Sequence, residues 1–149
     1  MLLVRAGGAW LTLDAALNLL VRGPAVEVAR GPNGAAIGLH VEGELLAGLS
    51  GASVTSSIAI PNRAIVLAVS TRTVAAVLGA TSWDCGIAGE PAKFGGSLGV
   101  AAGSTNVGVI GPHAFYAPTP IVLTANGGNF TGGDVRIAIQ YLLATAPTA

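Results

Sequence analysis

From Gly48 onward, short apolar stretches alternate with Ser, Thr and Gly, a pattern typical of β-strands separated by tight turns. The strands predicted from this pattern are residues 52–60, 63–73, 83–88, 97–102, 107–110, 120–125 and 134–143. The run at 63–73 is apolar on both faces, as in a strand buried between two layers. Residues 74–78 either extend that strand or form one helical turn. The series predicts an all-β fold, an antiparallel β-sandwich of jelly-roll type.

The beginning of the chain has a different pattern. Apolar side chains recur at helical spacing between Leu13 and Val21, and Gly23-Pro24 would end such a helix. The sequence therefore predicts a short N-terminal helix or an extended segment before the sandwich.

Two further strands are predicted at residues 25–29 and 35–41. Between them lies Gly31-Pro32-Asn33-Gly34, a strong turn signal, so the two strands are expected to form a hairpin. We interpret residues 1–40 as an attachment or oligomerisation segment and residues 41–149 as the sandwich domain.

The composition favours an assembled protein. Of the 149 residues 52% are hydrophobic and only 9% are charged, whereas ordinary domains carry about 25% charged residues. Between Gly79 and Gly133 there are thirteen glycines and only three charged residues. This apolar content argues against disorder. A surface with so few charges is expected to be covered by other copies of the chain.

Charge and hydropathy exclude several partners and compartments. The formal net charge is zero, so the sequence has no basic footprint for nucleic acid and no polybasic membrane patch. The longest apolar runs, 9–21 and 64–80, each contain a charged residue and fall short of the roughly 18 apolar residues of a spanning helix. No membrane insertion and no signal peptide are expected. The single cysteine, Cys85, allows no internal disulfide and fits synthesis in a reducing cytoplasm.

Five sequence motifs carry a resemblance to a known family. They lie at residues 49–54 (LSGASV), 60–67 (IPNRAIVL), 79–90 (GATSWDCGIAGE), 93–106 (KFGGSLGVAAGSTN) and 123–139 (LTANGGNFTGGDVRIAI). On these motifs, residues 44–149 resemble the C-terminal domain of tail-fibre-like proteins of phages and gene transfer agents of alphaproteobacteria. That family has no assigned function. The resemblance implies a homotrimeric particle component at the host-facing tip of a fibre, and it brings no catalytic residues.

A glycan site is one hypothesis for such a fibre tip. Proteins commonly bind sugars with an exposed aromatic ring beside a carboxylate. The charged and aromatic residues between Gly79 and Gly133, the Gly-rich region, offer this combination. The candidate ligand residues are Trp83, Asp84, Lys93, His113 and Tyr116. Alternatively, Trp83 and Phe94 fill the core, since aromatic side chains dominate core burial. His113 and Tyr116 are expected on a loop.

A metal site and an active site are two further hypotheses. His40, Glu42 and Glu44 alternate, so on a strand they share one face and form a candidate ligand set. The alternative is a solvated strand face or an edge protected by charge, and we expect no metal and no cofactor. Because no acidic residue lies in a recognisable catalytic motif, we predict that the protein is not an enzyme. A polysaccharide-degrading tip enzyme stays a third alternative.

The sequence-based hypothesis is thus a fibre or attachment domain in a virion or phage-like particle. Its expected partners are other copies in a homotrimer, other particle or fibre proteins through residues 1–40, and a host surface polysaccharide. The alternative is a structural virion protein, such as a capsid decoration or fibre-assembly module, without receptor binding.

Overall fold

The computed structural model describes residues 2–6, 9–13 and 24–148. This part of the chain consists of strands and turns, with a short 3-10 turn at Pro32–Gly34 and no α-helix. The strands are β1 (Leu2–Ala6), β2 (Ala9–Leu13), β3 (Ala25–Arg30), β4 (Ala36–Leu46), β5 (Ser53–Ile60), β6 (Ile65–Leu78), β7 (Ser82–Ile87), β8 (Glu90–Leu98), β9 (Thr105–Ala114), β10 (Thr119–Asn126) and β11 (Gly132–Thr145). Strands β1 and β2 pair with each other in a two-stranded sheet.

The remaining strands form two antiparallel sheets. The five-stranded sheet has the order β3-β4-β11-β6-β9, and the four-stranded sheet has the order β5-β10-β7-β8. Strand β4 pairs with β11, β5 with β10, β6 with β9 and β7 with β8. These are the pairs of one long hairpin that closes at β7–β8 and folds over on itself. This is the connectivity of a jelly roll. The predicted all-β, antiparallel sandwich is confirmed.

The predicted hairpin at the N-terminal side of the sandwich is also confirmed. Strands β3 and β4 pair across a turn in which Asn33 and Gly34 have φ angles of 58° and 83°. Both strands belong to the five-stranded sheet, so residues 25–40 contribute to the sandwich and residue 40 lies within β4. The helix predicted between Leu13 and Val21 lies, beyond Leu13, outside the described residues.

The C-terminal strands follow the prediction except at β8. Residues 74–78 extend β6, one of the two alternatives. Strand β8 occupies Glu90–Leu98, whereas the predicted strand at 97–102 is wrong beyond Leu98. The segment contains Pro91, Gly95 and Gly96, which disfavour a strand in general. They are tolerated here because β8 is the edge strand of its sheet and its register with β7 shifts twice.

The space between the two sheets is filled by aromatic and aliphatic side chains. The aromatic residues of this core are Trp83, Phe94, Phe115, Phe130 and Tyr141. Cys85 is fully buried among them, and this burial raises the pKa of its thiol to about 12. Cys85 is therefore a small residue of the core.

Strands β8 and β9 close one side of the sandwich. The side chain of Asn106 on β9 donates a hydrogen bond from Nδ2 to the carbonyl oxygen of Phe94 on β8, at 2.9 Å. Next to this bond, Gly108 lies so close to β8 that a Cβ atom would overlap the carbonyl oxygen of Phe94. The two sheets thus meet backbone to backbone at this edge.

Candidate functional site

The outer face of the five-stranded sheet is unusually apolar. Its side chains alternate with the core residues and point away from the four-stranded sheet. The exposed apolar residues of this outer face are Ile37, Leu39, Val41 and Leu45 on β4, Ile65 on β6, and Val107 and Val109 on β9. Val107 and Val109 are 67% and 73% exposed, and the register places Leu142 of β11 between Leu39 and Ile65. The result is an apolar surface that crosses the sheet.

The size of the outer face matches a protein interface. Five strands about 4.8 Å apart, with β4 running for eleven residues, span on the order of 800 Å². A stable protein–protein interface buries about 800 Å² on each partner. The outer face is therefore a candidate interaction surface.

Two arginines lie side by side on this outer face. Arg72 on β6 is the direct register partner of Arg136 on β11. Within residues 24–148 the ion pairs are Arg30–Glu27 and Lys93–Glu90, and neither Arg72 nor Arg136 takes part in one. The nearest acid along β11, Asp134, accepts a hydrogen bond from the backbone N–H of Gly48 at 2.8 Å.

The structure places two aromatic residues of the Gly-rich region in the core. Trp83 is 1% exposed, and its Nε1–H donates a hydrogen bond to the carbonyl oxygen of Gly99 at 3.1 Å. Phe94 is 3% exposed. The alternative that both residues fill the core is confirmed. Trp83 is accordingly removed from the glycan hypothesis, because its ring has no free face to stack on a sugar.

Asp84 and Lys93 make contacts within the four-stranded sheet. Oδ1 of Asp84 accepts hydrogen bonds from the backbone N–H of Ser97 and from Nδ2 of Asn126, both at 2.7 Å, and so ties β8 and β10 to β7. Lys93 forms an ion pair with Glu90 at 2.9 Å. Both charged groups therefore have structural partners.

His113 and Tyr116 lie at the opposite end of the sandwich from Asp84. Tyr116 is 82% exposed and lies before the first residue of β10. Asn126, which donates a hydrogen bond to Asp84, is the last residue of the same strand. Eight residues of β10 span about 25 Å. His113 lies in β9, not in a loop, and its ring packs edge-on against Phe115 at 5.0 Å. The candidate glycan residues thus do not form one cluster.

His40, Glu42 and Glu44 share one side of β4, as predicted, and each has a protein contact. Their register partners on β11 are Tyr141, Ile139 and Ile137, which are core residues. The ring of His40 stacks on Tyr141 at 5.0 Å. Burial first, and then the charge and hydrogen bond of Glu42, raise the pKa of Tyr141. Within the described ranges, the structure shows no group of three His, Cys, Asp or Glu side chains arranged to hold a metal ion.

Glu44 protects the free edge of the four-stranded sheet. Its carboxylate accepts hydrogen bonds from the backbone N–H groups of Ser57 and Ile58 on β5, at 2.8 and 3.1 Å, and from the Ser57 hydroxyl at 2.9 Å. Burial alone would raise the pKa of Glu44, but these hydrogen bonds lower it below 4.5. Two backbone amides of the β5 edge are thereby satisfied from within the molecule, which opposes strand addition there.

We predict that Glu44→Gln lowers the free energy of unfolding at neutral pH by about 1 kcal/mol, because the amide loses the charge-assisted bonds and Glu44 is partly exposed. A carboxyl group whose pKa is lowered by folding stabilises the protein above its unfolded pKa, near 4.5, and the stabilisation is lost as pH falls through the folded value. Urea unfolding at a series of pH values should show a shallower acid loss in the variant.

The control for this prediction is Glu90→Gln, which removes an exposed ion pair and should cost less at neutral pH. An unchanged acid dependence in Glu44→Gln would contradict the proposed role of the carboxylate at the β5 edge.

Comparisons with known proteins give a structural neighbour. Neither the protein-family models nor the curated proteins contain a match. One solved chain, from a structure entitled "Cyanophage Pam1 capsid asymmetric unit", matches 87% of this chain and 96% of its own length with a TM-score of 0.51 and 18% sequence identity. At this identity the match shows a shared fold. In the described residues, no helix has the length and apolarity needed to cross a membrane.

Proposed function

We propose that the protein is a structural component of a phage or phage-like particle. The observation that carries this proposal is the shared jelly-roll fold with a chain of a cyanophage capsid asymmetric unit, over 87% of this chain. Two independent features support it. Residues 44–149 resemble a domain of phage and gene-transfer-agent proteins, and the chain exposes an apolar sheet face of the size of a protein interface.

The geometry supports a packing role in the particle. Both sheets are fully antiparallel, one side is closed by β8 and β9, and the β5 edge is protected by Glu44. Of the described strands, β3 is left at an open edge of the five-stranded sheet. We therefore expect such a unit to associate mainly through side-chain surfaces and not by strand addition. The homotrimeric state and the attachment of other particle proteins through residues 1–40 are further parts of this proposal.

Receptor binding is the second candidate function. It is favoured by Tyr116, which is 82% exposed at the end of the sandwich near His113. A ring in this position is free to stack on a sugar of the host surface, and copies around a symmetry axis would multiply a weak affinity. This candidate requires only the end of the molecule that carries Tyr116, so it is compatible with a packing role for the outer face.

Particles from a strain that lacks the protein separate the two candidates. The structural role predicts particles that adsorb to host cells normally but lose their contents at lower temperature or in lower salt than intact particles. Normal particle stability with lost adsorption would favour receptor binding instead. A strain that carries Tyr116→Ala is the matched variant for the receptor-binding candidate, because an exposed side chain can be removed without disturbing the fold.

A further inference from the structure

We infer that the outer face of the five-stranded sheet binds a second copy of this chain in a head-to-tail arrangement, with a carboxylate of that copy held by Arg72 and Arg136. This inference rests on the proposed function, because it identifies the contact by which copies assemble. It concerns a surface to which neither the resemblance nor the structural neighbour assigns a partner.

The arginine pair indicates the chemistry of the partner. Residues directly opposite on neighbouring antiparallel strands have Cβ atoms about 5 Å apart, and like charges in these positions are destabilising. Arg72 and Arg136 occupy such positions, and neither is in an ion pair within residues 24–148. An apolar partner that covered them would bury two unpaired charges at high cost. A carboxylate accepts hydrogen bonds from both guanidinium groups and removes the repulsion.

The charge balance of the chain favours a second copy as this partner. The outward-facing positions of β11 from residue 136 onward are residues 136, 138, 140, 142 and 144. Together with their partners on β4 and β6 they include two arginines and no acidic residue. With a formal net charge of zero, the rest of the chain carries five basic and seven acidic residues, a net charge of −2. Another surface of the same chain is therefore electrostatically complementary to the outer face.

The same charge balance argues against a contact in which the outer faces of two copies pack on each other. A two-fold contact between identical faces would bring the arginine pairs of both copies to one apolar interface. The acid on the same side of β11, Asp134, is already held by the backbone N–H of Gly48. The contact is therefore heterologous, between the outer face of one copy and a different surface of the next. Heterologous contacts generate a closed ring or an open filament, and a ring of three copies agrees with the homotrimer that the family resemblance implies.

Sedimentation of the purified full-length protein over a concentration series tests this inference. Raising NaCl from about 0.1 to about 1 M shortens the Debye length from about 10 to about 3 Å and should weaken association. The double variant Arg72→Gln/Arg136→Gln should weaken it about tenfold, because the carboxylate loses both donors. The monomer of this variant should be at least as stable as the unmodified monomer, since the repulsion is removed.

Two further variants complete the test. Arg63→Gln, at an exposed arginine in the turn between β5 and β6, is the matched control and should associate like the unmodified protein. Val107→Thr/Val109→Thr keeps the β-branched shape on the outer face and should weaken association, because apolar contact area is lost.

Three results would overturn the inference: a protein that stays monomeric at the highest concentration, association that strengthens with salt, or a double arginine variant that associates as well as Arg63→Gln. Mass spectrometry of purified particles keeps the two proposals apart. Absence of the protein from particles refutes the proposed function. Presence in particles together with any of the three results refutes only the contact inferred here.

Discussion

Trp83→Ala is expected to lower the free energy of unfolding by about 3–5 kcal/mol. Trp83 is the largest fully buried side chain in the described part of the protein and lies between the two sheets at 1% exposure. Alanine would leave a cavity that the hydrogen-bonded strands around it cannot fill. The carbonyl oxygen of Gly99 would also lose the hydrogen bond from the indole N–H. Urea unfolding followed by circular dichroism measures the loss directly.

Tyr116→Ala is the control for this prediction. Tyr116 is also aromatic, but it is 82% exposed, so its removal should change the free energy of unfolding by no more than about 0.5 kcal/mol. The same two variants distinguish core residues from candidate ligand residues. A tolerated Trp83→Ala would mean that the ring is not part of the core.

Gly108→Ala is expected to destabilise the protein by about 3 kcal/mol, the upper end of the range for overpacking. A Cβ atom at Gly108 would overlap the carbonyl oxygen of Phe94 and lie 2.7 Å from the carbonyl oxygen of Val69. Both obstacles are backbone atoms, so no side-chain rotation relieves the overlap. The substitution should force β8 away from β9 and open the closed side of the sandwich, which thermal and urea unfolding will register.

Gly111→Ala tests the same substitution three residues further along β9. No atom lies within 4 Å of a Cβ at Gly111, and its φ is not in the left-handed region. Alanine there should be neutral or stabilising by about 0.5 kcal/mol, because it restricts the unfolded chain. Equal losses in the two variants would show that the contact between β8 and β9 does not exist in solution.

The sequence predicts the strands whose signals are local. The run at residues 63–73 and the hairpin turn at Gly31–Gly34 carry their own apolar pattern and turn residues, and both are found. Strand β8 could not be predicted in the same way. Its Pro91, Gly95 and Gly96 disfavour a strand locally, and they are accommodated only because β8 lies at a sheet edge against β9.

The candidate sites depend on which side of a strand faces inward, which the sequence does not specify. Trp83 and Asp84 are neighbours and point to opposite faces, and pairing of Cys85 with Leu123 places the Trp83 side in the core. On β4 the outcome is the reverse of the usual pattern. His40, Glu42 and Glu44 lie on the side of the core, where Leu46 is buried, while Ile37, Leu39, Val41 and Leu45 are exposed on the other side. The low charge content predicted a covered surface, but only the sheet register shows which face of the molecule is apolar.

The most direct test of this account is a cryo-electron microscopy map of the intact particle at a resolution that traces side chains. We expect several copies of the chain per particle, with the outer face of the five-stranded sheet buried against a neighbouring copy and an acidic side chain beside Arg72 and Arg136. Particles that lack the chain, or copies whose outer face is open to solvent, would contradict it.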